Sequence, residues 1–178
     1  MATVNKNTVS SFYALALARI SLGFIFLWAF LDKMFGLGFS TCRDATTNVI
    51  NTGCTQAWIK GGSPTTGFLQ HATGPFASFY HNLAGHSIVD YLFMTGLLVF
   101  GVGFILGIGI RILSSLAILL LLLMWGAGLW PATNPVIDEH IIYIFVLLAI
   151  NLSNSQQKWG MRDWWTKQKF VKDMPFFE

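Results

Sequence analysis

Four long runs of apolar residues limit how this chain can fold more than any other feature of its sequence. The runs cover approximately residues 11–35, 88–110, 112–130 and 135–152, and the last is the weakest because its first turn is charged. A membrane-crossing helix needs about 20 mostly apolar residues, and inside lipid its backbone groups can bond only to one another. The sequence therefore predicts an all-α integral membrane protein built as a bundle of four transmembrane helices.

The composition excludes the ordinary soluble class. Hydrophobic residues make up 54% of the 178 residues and charged residues only 11%, whereas soluble domains carry about 25% charged residues. The net charge of +3 is too small to indicate nucleic-acid binding. We expect a single membrane domain over residues 1–178. The first apolar run is longer than the core of a signal peptide, about 7–15 residues, and we interpret it as a retained helix.

The basic residues divide unequally between the two sides of such a bundle. The side shared by the two termini holds Lys6, Arg111, Lys158, Arg162, Lys167, Lys169 and Lys172. The other side holds Lys33, Arg43 and Lys60. The positive-inside rule then predicts that both termini are cytoplasmic in a multi-pass cell-membrane protein, with the loop 36–87 on the extracytoplasmic side.

The tail over 153–178 mixes cations with aromatic rings in "KWGMRDWWTKQKFVKDMPFF". Tryptophan rings favour the headgroup level, and cations favour an anionic leaflet. We interpret the tail as an interfacial anchor on the membrane lipids. A docking site for a cytoplasmic partner is the alternative.

The long loop contains its own structural signals. In "GPFASFYHNLAGH", Pro75 suits a first helical turn, aromatic residues follow at helical spacing, and Gly85 ends the segment, which predicts a short amphipathic helix on the outer membrane surface. Cys42 and Cys54 are the only cysteines. Thiols outside the cytoplasm tend to oxidise, so we predict a structural disulfide between them. A redox-active pair is the alternative, but the spacing is not CxxC.

Glycines in the second run predict close helix packing. Gly103 and Gly107 form a GxxxG step, which lets two helix backbones approach each other. The break before the third run is short, so the second and third helices form a tight antiparallel hairpin. The sequence leaves open whether the glycine face serves the bundle or a homo-oligomer.

Polar residues inside the runs each need a reason, because they are costly in lipid. Ser87 and Asp90 have the spacing of a helix capping box, with Ser87 as the cap. Arg19 lies well inside the first run. It either extends to the inner headgroups or is buried, as the partner of a polar group or as a ligand for an anion or a quinone oxygen.

A polar rim is expected at the extracytoplasmic end of the bundle. Asn134 and Pro135 suit the N-cap and first position of the fourth helix, and Asp138 suits its first turn. Capping does not explain Glu139 and His140. The other residues that we place at the same level are Asp32, Lys33, Trp28, Trp125, Trp130 and Tyr143.

If these residues face one another, they form a polar pocket with apolar walls. A quinone headgroup needs hydrogen-bond partners, a proton acceptor and an apolar path for its tail. The alternative is a hydrated rim of paired polar groups that binds nothing. We predict no metal site, because the histidines of the loop, His71, His81 and His86, match no ligand spacing.

Four stretches together resemble the DoxX/DoxD family of four-span membrane proteins. They are "ARISLGFIFLWAFLDKMFGLG", "WIKGGSPTTGFL", "GPFASFY" and "WPATNPVIDEHIIY", and the resemblance covers roughly residues 18–160. It implies similarity to the membrane subunit of a thiosulfate:quinone oxidoreductase, which oxidises thiosulfate to tetrathionate, reduces a membrane quinone and works with a second subunit. Other members of the family are implicated as membrane partners of redox enzymes. "CRDATTNVINTGC" is an insertion in the family pattern.

Two functions of different classes follow. In the first, the chain is a quinone-linked oxidoreductase subunit, and Glu139 and His140 are its catalytic residues. The residues expected to bind quinone or substrate are Asp32, Lys33, Arg19, Trp28, Trp125 and Tyr143. In the second, the chain is a non-catalytic scaffold or accessory protein of a redox complex, and the polar rim only caps helices.

Overall fold

The computed structural model describes residues 6–132, 134–153 and 158–177, and within these ranges the chain is helical. Across the same ranges, β pairing is limited to one isolated bridge between Arg43 and Ile50. The long helices are α1 (Lys6–Phe35), α4 (Ser87–Leu106), α5 (Ile110–Ala127) and α6 (Glu139–Leu152). The short helices are α2 (Thr66–Gln70), α3 (Ala77–Leu83), α7 (Arg162–Trp165) and α8 (Lys169–Asp173), with 3₁₀ turns at Trp58–Lys60, Gly74–Phe76 and Pro175–Phe177.

Three of the helices have the length and apolarity of membrane spans. They cover Ser10–Phe35, Ser87–Leu106 and Ile110–Ala127, with mean hydropathies of 2.1, 2.0 and 2.1. The fourth, α6, is apolar but has only 14 residues. At ~1.5 Å per residue it is about 21 Å long, shorter than the ~30 Å of a bilayer core. The chain is therefore a membrane protein with three helices of spanning length and a shorter fourth.

The predicted start of the fourth helix is wrong. The helix begins at Glu139, with Asp138 as its N-cap, rather than at Pro135. Asn134 accepts instead from the backbone amides of Val136 and Ile137, at 3.0 and 2.9 Å, and so closes a turn before the helix. Asn134 and Asp138 are both suitable N-cap residues. The helix begins after Asp138 because the Asp138 side chain accepts hydrogen bonds from two backbone amides of the first turn.

The bundle consists of two closely packed pairs, α1 with α4 and α5 with α6. Glycines set the spacing within the first pair. A Cβ added at Gly101 would lie 2.7 Å from the backbone nitrogen of Leu27, and one at Gly23 would lie 2.8 Å from that of Ile105. At these two positions the backbones of α1 and α4 are thus too close to leave room for a side chain.

The hairpin between α4 and α5 is as tight as predicted. Gly107 and Gly109 have φ of 70° and 58°, in the left-handed region that favours glycine. A Cβ at Gly103 would overlap Leu113, and one at Gly107 would overlap Arg19. The glycine face therefore serves the chain's own bundle. The core below it contains Phe26, Met94, Leu97, Phe100, Phe104, Leu147 and Ile150.

The loop between α1 and α4 covers one end of the bundle, which we call the loop end. The disulfide between Cys42 and Cys54 is present, with the Cα atoms 5.6 Å apart, as predicted. The short helix predicted after Pro75 is also confirmed as α3. It packs on α5, where the Tyr80 hydroxyl donates to the Leu123 carbonyl at 2.8 Å.

The opposite end of the bundle, the tail end, carries residues 158–177. The Met161 amide donates to the Leu106 carbonyl at 2.7 Å and ties the tail to the last turn of α4. Val171 is buried, and the Trp165 indole donates to the Phe177 carbonyl at 2.7 Å. The tail therefore folds back on the bundle and on itself.

The predicted capping box at the start of α4 is wrong. His86 is the N-cap, Ser87 is the first helical residue, and no side chain caps the helix. Asp90 turns instead toward the loop and accepts hydrogen bonds from Ser63 and Thr65. A carboxylate in the first turn suits both arrangements, so the local pattern did not distinguish them.

Candidate functional site

The site is a cavity of about 890 Å³ at the loop end of the bundle. Side chains of all four long helices and of the loop helices α2 and α3 line it. Most of the lining is apolar, including Phe26, Leu97 and Leu120. Its charged and aromatic polar groups are Lys33, Glu139, His140 and Tyr143, at the loop ends of α1 and α6, and Tyr80 of α3, whose hydroxyl already donates to the Leu123 carbonyl. The cavity thus combines apolar walls with polar groups at one end.

His140 is held in a defined orientation by the cap of its own helix. The Asp138 carboxylate accepts from the backbone amides of His140 and Ile141 through Oδ1, at 3.0 and 3.3 Å. Its other oxygen lies 2.8 Å from Nδ1 of His140. Because an ionised carboxylate only accepts, Nδ1–H donates, and Nε2 of the neutral ring is the nitrogen left to accept a proton.

Glu139 and Tyr143 lie one turn apart on α6, and both line the cavity. Within the described part of the chain, neither side chain makes a hydrogen bond. Glu139 is exposed, whereas Tyr143 is half-buried. A carboxylate and a phenol with free hydrogen-bonding capacity beside an oriented imidazole can bind a polar headgroup and exchange protons with it.

Lys33 reaches the same cavity from the end of α1. Its Nζ donates to Ser40 Oγ at 3.0 Å, which fixes the ammonium beside the loop. The charge is therefore placed to attract an oxygen that gains negative charge. Ser40 also binds the adjacent carboxylate, Asp32, so one loop residue positions both.

Asp32, near the end of α1, is bound by the loop and is not among the residues that line the cavity. Its carboxylate accepts from the amides of Phe39, Ser40 and Thr41 at 3.0, 2.9 and 3.0 Å. The Ser40 hydroxyl adds a fourth hydrogen bond at 2.8 Å. Asp32 is only 1% exposed. Its hydrogen bonds thus anchor the start of the loop to α1.

None of the three tryptophans that we expected at this level lines the cavity: Trp130 is exposed, and the other two have partners elsewhere. The Trp28 ring packs edge-on against Phe39, with the centroids 5.0 Å apart. The Trp125 indole donates to the Val136 carbonyl at 2.8 Å and holds the turn before α6.

Arg19 lies at the tail end, away from the cavity. It is fully buried, and its Nη2 donates to the carbonyls of Lys158 and Trp159 at 3.0 and 2.9 Å. Its guanidinium fits between Gly107 and Gly160, where any Cβ would collide with it. Of the two roles considered from the sequence, the structure shows the buried one, and Arg19 fastens the tail to the bundle.

A group of three potential metal ligands lies beside the cavity. One ligand atom each from Asp138, Glu139 and His140 falls within 4.8 Å of the others. We assign no metal here, because Asp138 already caps the helix and orients the imidazole.

The roof of the cavity was not foreseen from the sequence. Phe68 and Leu69 of α2, together with Phe79 and Leu83 of α3, line the cavity at its loop end. The apolar spacing along α3 predicted a helix, but it indicated one on the membrane surface rather than one packed on the bundle.

No protein-family model, curated protein or solved structure matched the chain.

Proposed function

We propose that this chain is the membrane subunit of a quinone-linked oxidoreductase and that a quinone binds in the cavity at the loop end. The cavity carries the proposal, because it joins a mainly apolar lining to a small group of proton-exchanging side chains. Its volume of about 890 Å³ lies within the usual range of ligand sites, about 300–1,000 Å³. The resemblance to the DoxX/DoxD family supports the same function.

The residues divide the chemistry between them. Reduction of a quinone to a quinol takes two electrons and two protons. Nε2 of His140 and the carboxylate of Glu139 hold and pass the protons, and Lys33 stabilises the negative charge on a quinone oxygen. In the thiosulfate version, two thiosulfate ions supply the two electrons and leave as one tetrathionate. A second subunit brings that donor to the loop end.

The quinone enters from the side of the bundle. The proposed entrance lies between α4 and α5, and it is supported by the exposure of the lining residues Val99, Leu116 and Leu119 on these two helices. The proposal places α6 in the membrane as the fourth span. It places the loop end on the extracytoplasmic side and both termini in the cytoplasm, as the distribution of basic residues predicts.

Variants of the proton-handling residues test the chemistry. Glu139→Gln and His140→Ala should abolish quinone reduction by membranes containing the complex, while the protein stays folded and inserted. Asp163→Asn, an exposed carboxylate of the tail, is the matched control and should keep full activity. Full activity in both rim variants would refute the assignment.

Filling the cavity tests the binding site separately. Gly96 lines it, and a Cβ there would make only ordinary contacts with Phe100, the nearest at 3.4 Å. Gly96→Leu should therefore fold but block labelling by a photoreactive quinone. Val102→Leu adds bulk to an exposed position of the same helix and should not. Equal labelling of both variants would place the quinone elsewhere.

The scaffold function has its own supporting observation. The docked tail exposes Trp159, Trp164 and Phe176 by 56%, 53% and 57%. Such rings suit a membrane surface or a protein partner. Purification from native membranes separates the two functions: a stoichiometric partner with no quinone labelling of the cavity favours the scaffold.

A further inference from the structure

A second cavity, of about 400 Å³, lies outside the proposed quinone site. It is formed where the loop meets the first turn of α4, at the loop end of the bundle. Trp58, Gly61, Ser63, Ser87, Asp90 and Tyr91 are among its lining residues. A Cβ at Gly61 or at Gly85 would meet no atom within 4 Å, so this space is open.

Asp90 gives this cavity a buried negative charge. The residue is only 7% exposed. Its Oδ1 accepts from Ser63 Oγ at 2.8 Å, Thr65 N at 3.2 Å and Thr65 Oγ1 at 2.6 Å. In the described part of the chain, nothing donates to Oδ2, and no basic side chain pairs with the carboxylate. Three donors satisfy Oδ1, and Oδ2 remains able to accept from a cation, whose charge would stabilise the carboxylate further.

Two aromatic rings form the adjoining walls. Trp58 and Tyr91 meet edge to face, with centroids 5.2 Å apart and planes at 69°. Both residues line the cavity, so both rings lie at its wall. A ring face attracts an organic ammonium group, and tryptophan does so best. A carboxylate alone does not distinguish a metal ion from an ammonium group, whereas a carboxylate with two rings favours the ammonium.

We propose that this cavity binds an organic ammonium group, with Asp90 as its counter-ion and Trp58 and Tyr91 as its cage. The group belongs either to a soluble amine or to the headgroup of an ethanolamine or choline lipid, since the cavity is at the loop end of the membrane helices. The assignment does not depend on quinone binding at the larger cavity.

Calorimetric titration of the full-length protein in a non-ionic detergent tests the chemistry with choline as the probe. The uncharged isostere 3,3-dimethylbutan-1-ol has the same shape and should not bind. Asp90→Asn keeps an oxygen for Ser63 and Thr65 but removes the charge, and it should weaken choline binding at least about tenfold. Asp44→Asn is the matched control, because Asp44 also accepts three hydrogen bonds from threonines but is exposed.

A second variant keeps the test valid if Asp90→Asn does not fold. Tyr91 is 61% exposed, so Tyr91→Leu should leave the fold intact. It removes one wall of the cage and should weaken choline binding by about threefold to tenfold. Thermal melts of both variants check the fold independently of the ligand.

Native mass spectrometry identifies the source of the ammonium group. Protein from mixed nanodiscs is compared for retained phosphatidylethanolamine, phosphatidylcholine and phosphatidylglycerol. Selective retention of the two amine lipids, lost in Asp90→Asn, assigns the site to a headgroup. Choline binding without that selectivity assigns it to a soluble amine. If choline does not bind and retention of the three lipids is the same in both proteins, the proposal is overturned.

Discussion

Replacing Asp32 tests how the loop end of the bundle is held together. The carboxylate accepts four hydrogen bonds, three from consecutive backbone amides and one from the Ser40 hydroxyl. Asp32→Ala removes every acceptor. Asp32→Asn keeps one oxygen, which can still serve Ser40 and Thr41, and loses the acceptor for the Phe39 amide. Asp32→Ala should therefore destabilise the start of the loop more than Asp32→Asn does.

The expected loss of opening free energy follows from the number of hydrogen bonds that each substitution removes. A hydrogen bond to a charged group contributes about 1.5–3 kcal/mol when it is shielded from water. Phe39 and Ser40 are exposed, so water replaces part of each lost bond. Taking about 1 kcal/mol for each amide, we expect Asp32→Ala to lower the local opening free energy by about 3 kcal/mol. Asp32→Asn should lower it by about 1 kcal/mol.

Hydrogen exchange followed by mass spectrometry measures this locally. A loss of about 3 kcal/mol should speed exchange of the amides at 39–41 by about 100-fold in Asp32→Ala. In Asp32→Asn a loss of about 1 kcal/mol gives about fivefold. Asp44→Ala is the control, and its effect should be limited to the turn at 44–49, where Asp44 binds Thr46 and Thr47. The disulfide is kept oxidised in all samples.

Two results would contradict this reasoning. If Asp32→Ala exchanges like the wild type at 39–41, the carboxylate does not anchor the loop. If exchange is unchanged but quinone labelling of the cavity is lost, Asp32 acts as a ligand, as the sequence alone suggested. Faster exchange together with weaker labelling agrees with an anchor, because the same loop positions Lys33 through Ser40.

Three further predictions concern the tail, the helix contact and the cap. Arg19→Met removes the donor to two tail carbonyls, so exchange at 158–161 should rise at least about tenfold, and unchanged exchange would show that the tail docks without it. Gly101→Ala brings a Cβ to 2.7 Å from backbone and should cost about 1–3 kcal/mol in detergent unfolding, whereas Gly96→Ala should be nearly neutral. Asp138→Ala should destabilise the start of α6 by about 0.5–2 kcal/mol and slow quinone reduction, whereas Asp138→Asn should keep most of the cap; equal stability of the two variants would contradict the capping role.

The sequence predicted the features that local patterns determine. Continuous apolar runs identified α1, α4 and α5, because a helix in lipid needs only length and apolarity. The tight hairpin between α4 and α5 followed from the short break between the two runs, although α4 ends at Leu106, before the predicted end of its run at 110. The pairing of Cys42 with Cys54 followed from their being the only two cysteines. Each of these signals lies within one segment and needs no information about the rest of the fold.

Features that depend on contacts between distant segments were not predicted. Asp90 looked like part of a local capping box, but its partners Ser63 and Thr65 lie 25–27 residues away. The packing of α3 against α5 likewise depends on Tyr80 reaching the Leu123 carbonyl, 43 residues away. A periodic pattern shows that a helix has an apolar face, but it does not show what covers that face.

The segment "NPVIDEH" shows how hydrogen bonding distinguishes architecture from function among similar residues. Asn134 closes a turn and Asp138 caps α6, so the fold explains both. In the described chain the Glu139 side chain has no hydrogen bond, although it lines the cavity beside the oriented ring of His140. A carboxylate at a cavity edge that stabilises neither a cap nor a loop keeps its full capacity for a ligand or a proton. We therefore expect Glu139→Gln to lower activity with little effect on stability.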